Sequence, residues 1–509
     1  MRNRFVRTSS ILHYTGALLQ FLGVIMLSPL ILVAVYWDNG FNDNWGCVLA
    51  FLLPALGSFA LGCGLYRVFR CEQLDTTGGM LLCALGWLAA SAVGALPFVI
   101  GVGAGYLDAC FEAMSGFTTT GITVFKGLGA MPRSIIFWRA LTQWLGGIGI
   151  LSFFLAITFR GSGAHHIFGA ESHKISASRP APGLYHTLQI LWGIYAGFTL
   201  LCTLLFWAEG MSFFDSTCHS FTALSTGGFS PHDQSLEFYR INAARFPHWR
   251  LIEYTAILAM MLGGINFLVH YRVLTGDVKA LWDNIEIRYW WALLAGFVVL
   301  IMFGTCLQCP EYWSTGGTSL LARVEENFRV TSFQVVSILT TTGFATRDIG
   351  APCFPPLARQ LFLVMMVIGG CVGSTGGGIK VQRVAILARS VLRELFKLRV
   401  SKKASSDLVV DGRVVPESEI DRVAALFFAW VALLVIGGGI TALCTTELGA
   451  MESASGMFSA LCNIGPCYIS VTQMIEMPAL VKVTYIVGML AGRLEILPVL
   501  LLFSRRAWA

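Results

Sequence analysis

Residues 111–124 read "FEAMSGFTTTGITV". Three threonines and a glycine, Thr118-Thr119-Thr120-Gly121, interrupt a stretch apolar enough to lie in lipid. Threonine and glycine are poor helix formers. At membrane depth such a break is tolerated only where the backbone is buried in protein or lines a wet cavity. Taken alone, the string is an ordinary turn as readily as a site. Its recurrence decides the reading.

Comparable segments are "CHSFTALSTGGFS" (218–230), "FQVVSILTTTGFAT" (333–346) and "SGMFSALCNIGPC" (455–467). They align on Gly121, Gly228, Gly343 and Gly465. Two positions earlier stand Thr119, Thr226, Thr341 and Asn463; four earlier, Phe117, Leu224, Leu339 and Leu461; six earlier, Ser115, Thr222, Ser337 and Ser459. Thirteen earlier, Asp108, Asp215 and Glu452 agree, and the third copy has Val330. Small-residue strings follow each copy: "LGGIG" (145–149), "LGGIN" (262–266), "IGGCV" (368–372) and "LAGRL" (490–494). A chance turn does not return four times at one place in a repeating pattern.

The composition sets the solvent. Of 509 residues, 55% are hydrophobic and 13% charged, where a soluble domain carries about 25% charge. Apolar runs of crossing length fall at 11–36, 47–66, 80–102, 135–159, 187–207, 252–274, 289–307, 358–395, 423–445 and 479–504. The first is as long as a spanning helix, unlike a cleaved secretory signal. The expectation is an all-α polytopic membrane protein of ten spans. Two N-terminal spans (1–79) precede four units of span, short re-entrant helix, Thr/Gly loop and span. The units occupy 80–186, 187–288, 289–422 and 423–509. An even number of spans puts both termini on one face. Arg2, Arg4, Arg7, Arg67, Arg70, Arg160, Lys174, Arg179, Arg272, Lys279, Lys397, Arg399, Lys402, Lys403, Arg505 and Arg506 fall on that face, which the positive-inside rule makes cytoplasmic. Arg240, Arg245 and Arg250 are exceptions outside. A net charge of +6 is no nucleic-acid footprint. Cys306 and Cys309 form the sole CxxC, with no second pair or histidine cluster to complete a metal site, and read as a local disulfide if they face an oxidising compartment; the other cysteines read as buried thiols.

Four equivalent units imply pseudo-fourfold packing, with each Thr/Gly loop at the axis. Glycine there tolerates unusual dihedrals and adds no side chain to a pore. Carbonyls turned inward replace the hydration shell of a potassium ion. Each short helix aims its negative C-terminal end at that ion, and Asp108, Asp215 and Glu452 suit the positive end, as caps or as acids at the outer mouth.

These loops, with "GRLEILP" at 492–498, resemble the Trk/Ktr/HKT superfamily of cation transporters, and the two leading spans resemble its TrkH subgroup. The resemblance covers nearly the whole chain. It implies potassium uptake across the bacterial inner membrane through a filter facing outside, homodimers with one pore per subunit, and a cytoplasmic nucleotide-binding regulator of the TrkA kind. The filter positions it implies are Thr119, Thr120 and Gly121; Thr226, Gly227 and Gly228; Thr341, Thr342 and Gly343; Asn463, Ile464 and Gly465. The fourth loop departs from the threonine pattern. Sodium-selective members carry serine at the first filter glycine, so Gly121 favours potassium over a sodium or non-selective reading.

The stretch 358–395 is too long for one crossing, and its "GGCVGSTGGGIK" should break a helix at Gly376, Gly377 and Gly378. Below the filter it either plugs the pore, as the family's intramembrane gating loop does, or kinks for packing. Arg493, alone at membrane depth, is either a positive barrier or the partner of Glu495. Lys380 is expected at the cytoplasmic interface. An enzyme is not indicated: His165, His166, His173 and Glu171 form no HExxH motif. A scaffold would not need four such loops. No P-loop occurs, so nucleotide control falls to a partner.

Overall fold

The computed structural model describes residues 2–37, 43–70, 74–149, 184–309, 319–399, 407–411 and 413–508. His165, His166, His173, Glu171, Arg160, Lys174, Arg179, Lys402 and Lys403 lie outside these residues. So does the second half of the expected span 135–159.

The chain opens with helix Arg2–Ile25, which continues after a turn as Leu30–Val35 and packs along Trp45–Val68. Glycines allow the close approach: a Cβ built on Gly16 would stand 2.8 Å from the Gly62 carbonyl oxygen, and one on Gly62 2.6 Å from that of Gly16. Ser58 Oγ also donates to Leu19 O at 2.8 Å.

One order of elements then recurs four times along the chain. The first spans, Thr76–Gly94 with Leu96–Val102, Leu184–Ala208, Ile285–Gln308 and Glu417–Cys444, precede Tyr106–Phe117, Phe213–Leu224, Leu320–Leu339 and Ala450–Cys462, each ending at a Thr/Gly loop. Among the described residues six helices are long and apolar enough to cross a membrane. Leu53, Phe59, Leu204, Val299, Phe303, Phe428 and Val435 are exposed on them. So much outward apolar surface suits lipid and marks a multi-pass membrane protein.

The helices that follow the loops are shorter than the crossings expected, and only the break in 358–395 is expected from the sequence. Each stops at its small-residue string. Arg133–Gly147 ends there; Trp249–Gly264 turns through 104° into Phe267–Leu274; Pro356–Val367 gives way to a loop before Val381–Lys397; Ala479–Arg493 breaks before Leu497–Leu502. Packing explains the glycines at these stops. A Cβ on Gly146 would overlap Phe117 O, one on Gly263 would crowd Leu224 O, and one on Gly492 would overlap Leu461 O. Three of these helices thus press against the C-terminal carbonyls of the helix before their loop; in the third copy Gly369 instead lies against Gly377 O. Regular β structure among the described residues is one antiparallel pair, Val409–Val410 with Arg413–Val414. Cys306 and Cys309 carry free thiols, so the disulfide reading of that pair is not realised.

Candidate functional site

The four helices before the loops end alike, although the third, Leu320–Leu339, is 20 residues long rather than short. Thr119 N–H donates to Gly116 O at 2.9 Å and Thr120 N–H to Ser115 O at 2.8 Å. The same two bonds run from Thr226 to Ala223 (3.0 Å) and Gly227 to Thr222 (2.8 Å), Thr341 to Ile338 (3.0 Å) and Thr342 to Ser337 (2.9 Å), Asn463 to Ala460 (3.4 Å) and Ile464 to Ser459 (3.1 Å). This is a Schellman cap, whose closing residue is left-handed and usually glycine. Here that residue is Thr119 (φ 54°), Thr226 (φ 53°), Thr341 (φ 58°) or Asn463 (φ 54°). Two residues on, Gly121, Gly228, Gly343 and Gly465 are left-handed again, at 85°, 75°, 86° and 103°. A β-branched residue at positive φ is a true outlier, and strain of this kind gathers at functional sites.

The loops close into a ring. A Cβ on Gly121 would overlap the carbonyl oxygen of Gly227, one on Gly228 that of Thr342, and one on Gly343 that of Ile464; one on Gly465 would stand 3.0 Å from that of Thr120. Each glycine therefore faces the carbonyl before the next loop's glycine, in the order first, second, third, fourth, first. A cavity of about 370 Å³ opens on this ring and is lined by all four glycines. The acids on its wall are Asp233 and Asp348, not those read from the sequence. Asp108 pairs with Lys482 at 2.6 Å; Asp215 pairs with Arg133 at 3.7 Å and lies 3.4 Å from His232; Glu452 caps the N–H of Gly449 at 2.8 Å.

On the other side lies the loop 368–380. Its ends are tied where Gly369 N–H donates to Ile379 O at 2.9 Å. Its tip meets all four left-handed residues or the arginine beneath them. Gly377 N–H donates to Thr341 Oγ1 at 2.8 Å, Thr226 Oγ1 bonds Thr375 Oγ1 at 3.1 Å, and a Cβ on Gly377 would stand 2.7 Å from Asn463 Cβ. Arg493 lies between ring and loop. Its guanidinium donates to Thr119 Oγ1 (3.2 Å), Thr375 O (2.6 Å), Gly146 O (2.5 Å) and Gly147 O (2.6 Å). Glu495, the sequence-read partner of Arg493, forms an ion pair with Arg383. Lys380 is tucked under the loop, its ammonium on Gly376 O, rather than standing at the interface.

A ring of four strained backbone loops, open to a cavity on one face and sealed by a loop on the other, fits a channel-like route for an ion. Residues 70–507 match the TrkH family, cation transport protein. The chain belongs to that family. It is 31% identical over 508 residues to the Trk system potassium uptake protein TrkH of Escherichia coli, covering 98% of this chain and 99% of that one. It is 31% identical over 509 residues to the protein of that name in Halomonas elongata, covering 98% of each. The crystal structure of the potassium transporter TrkH from Vibrio parahaemolyticus superposes with a TM-score of 0.83 at 29% identity, over 99% of this chain and 100% of that one. A TrkH-family chain is a cation transporter, not an enzyme.

The site of this TrkH-family chain includes residues that the sequence reading passed over. Glu112 and Arg139, both buried, pair at 2.6 Å. Glu112 also accepts from Val124 N–H at 3.0 Å and Thr123 Oγ1 at 2.9 Å. Arg139 donates to Ser230 O at 3.1 Å and lies 3.8 Å above the Phe229 ring, tying the first loop to the second. The rule that singled out Arg493, an ionisable group at membrane depth, singles out both. Glu286 is buried and accepts from Val372 N–H at 2.7 Å and Gln382 N–H at 3.3 Å, gripping the loop 368–380 at both ends. Gln143 bonds the second loop.

Proposed function

We propose that this protein takes potassium into the cell through a pore on the axis of the four loops. Backbone carbonyls of Thr119, Thr120, Gly121, Thr226, Gly227, Gly228, Thr341, Thr342, Gly343, Asn463, Ile464 and Gly465 form the filter, replacing the ion's water. The transported ion is the only bound cofactor the reading requires. The closed ring of glycine against neighbouring carbonyl carries this reading, because it leaves the oxygens of four loops around one axis with no side chain between them. The curated relatives from Escherichia coli and Halomonas elongata are potassium uptake proteins by name, which sets the ion. The four C-terminal helix ends add negative potential there.

The loop with Gly376, Gly377 and Gly378 is the gate, and Arg493 is a positive barrier under the filter. Asp108, Asp215 and Glu452 set the start of three filter helices and the potential near the mouth. The four units 80–186, 187–288, 289–422 and 423–509, after the pair of spans in 1–79, make ten crossings with both termini cytoplasmic in a bacterial inner membrane. Two chains form a homodimer, and a TrkA-like nucleotide-binding subunit biases the gate from the cytoplasm.

The test is rubidium and sodium uptake into liposomes holding purified protein, with and without a proton gradient. Wild type is expected to prefer rubidium, and Gly121→Ser to admit more sodium, because its side chain must displace the Gly227 carbonyl. A folded Gly121→Ser with the wild-type ratio removes Gly121 from the filter. No rubidium preference in wild type moves the assignment to sodium or non-selective cation transport.

A further inference from the structure

Gln143 stands on helix Arg133–Gly147 of the first unit, yet its amide serves the second. Nε2 donates to Gly227 O at 2.6 Å, and Oε1 accepts from Phe229 N–H at 3.0 Å. The side chain is fully buried. The two bonds bracket Gly228 in the ring.

Gly227 is the odd member of its column, which reads Thr120, Gly227, Thr342 and Ile464. The backbone does not call for glycine there, since Gly227 is absent from the left-handed residues that include Gly228. Space calls for it: a Cβ on Gly227 would overlap the amide of Gln143. In the first and third loops the threonine at this position bonds the threonine two residues earlier, Thr118 to Thr120 at 2.7 Å and Thr340 to Thr342 at 2.8 Å. In the second loop a side chain from the neighbouring unit fills that corner, and it delivers its donor to the loop carbonyl. Among the described residues the matching carbonyls of Thr120, Thr342 and Ile464 accept no hydrogen bond.

We propose that Gln143 is a positioning residue that sets the ion preference of the pathway. Its N–H occupies one lone pair of the Gly227 carbonyl, holds that oxygen at a fixed radius, and leaves it a weaker ligand than its three counterparts. The preference of a carbonyl ring depends on the number and field strength of its dipoles and on how far they yield. One stiff, partly neutralised corner therefore shifts the balance between ions. This rests on the filter reading above.

The experiment compares rubidium and sodium uptake for wild type, Gln143→Met, and Gln143→Ala combined with Gly227→Thr. Methionine keeps the volume and removes the N–H donor. Gln143→Met is expected to change the rubidium-to-sodium ratio by about threefold to tenfold, the range that one hydrogen bond supplies, with the half-saturating rubidium concentration shifted and maximal flux changed less. The double variant refills the corner in the manner of Thr120 and Thr342 without restoring the donor. It is expected to fold and transport, with the ratio still shifted. A folded Gln143→Met or a folded double variant with the wild-type ratio makes Gln143 a space filler and overturns the proposal. Failure of both to fold makes the amide structural and also overturns it. Gly121→Ser in the same assay separates the two readings. If it moves the ratio while the Gln143 variants do not, the filter stands and Gln143 falls. If none moves the ratio, the filter reading falls as well.

Discussion

Threonine in the left-handed region costs about 1–2 kcal/mol, and this chain places it there at Thr119, Thr226 and Thr341. The hydroxyls supply the offset, because each bonds the apparatus below: Arg493, Thr375 and Gly377 N–H in turn. Thr341→Gly separates the two effects. Glycine relieves the strain and removes the hydroxyl that holds Gly377. Thermal stability is expected to stay within about 1 kcal/mol, since relief and the entropy cost of glycine nearly cancel, while rubidium flux without any regulator rises. Unchanged flux would show that this hydroxyl does not restrain the loop. Behind the ring, Arg139→Ala leaves Glu112 buried without its ion pair. It is expected to cost about 3–5 kcal/mol, read as a lowered melting temperature, and Glu112→Ala in the same chain should recover part of it. The sequence disclosed the columns of this site but not its strain. Thr119 and Asn463 look dissimilar on the page, yet they share one backbone state, in which asparagine is the easier fit. Asp108, Asp215 and Glu452 aligned well because a helix start favours acids, and that preference says nothing of which acids line the cavity. Asp233 and Asp348 stand five residues after Gly228 and Gly343, a column that Lys126 and Ser470 complete; two acids, a lysine and a serine do not read as a shared motif.

The broken second spans show which helix ends a sequence declares. Three glycines in a row announce the break after Val367. The break after Arg493 is built from Glu495 at φ 61° and Ile496 at φ 70°, residue types that give no turn signal, and only tertiary packing holds them there. The loop 368–380 is held from two sides. Its tip bonds the ring, and its base is gripped by Glu286 through Val372 N–H and Gln382 N–H. Each such hydrogen bond contributes about 0.5–1.5 kcal/mol. Glu286→Ala removes both and leaves the tip contacts intact. If opening frees the base, regulator-free rubidium flux rises about tenfold or more, the factor that 1.4 kcal/mol of gate bias gives, and Glu286→Gln, which keeps an acceptor, falls between. If opening moves only the tip, Glu286→Ala conducts as wild type does, and the base is fixed scaffold.

The ring order of the four units was beyond the sequence, since alignment gives equivalence and not adjacency. It follows from Gly121 on Gly227, Gly228 on Thr342, Gly343 on Ile464 and Gly465 on Thr120. Among the described residues it is the third stretch that inserts a loop under this ring, and the loop continues directly into helix Val381–Lys397. Arg383 at the start of this helix pairs with Glu495, two residues from Arg493, so a pull on the helix reaches both the loop and the arginine under the ring. A partner shifts such a gate only through different affinities for its two states. The outer part of the helix offers a grip. Arg393 is held by Glu394 and lies 3.9 Å from Glu417, whereas Lys397, paired at 3.0 Å with the exposed Glu394, stands in solvent beside Arg399. Exposed Val391, Leu392, Leu395 and Phe396 flank them. The variant Lys397→Glu with Arg399→Glu reverses the surface charge and spares the contact of Arg393 with Glu417. It is expected to weaken binding of a nucleotide-binding regulator about tenfold or more, as lost charge complementarity does at low salt, and to abolish the nucleotide dependence of flux while basal flux and the rubidium preference persist. Addition of Arg393→Glu should also raise basal flux, because that change loosens the helix itself. Full regulator binding and full nucleotide response in the double variant would move the docking surface away from this helix and leave the pore as assigned.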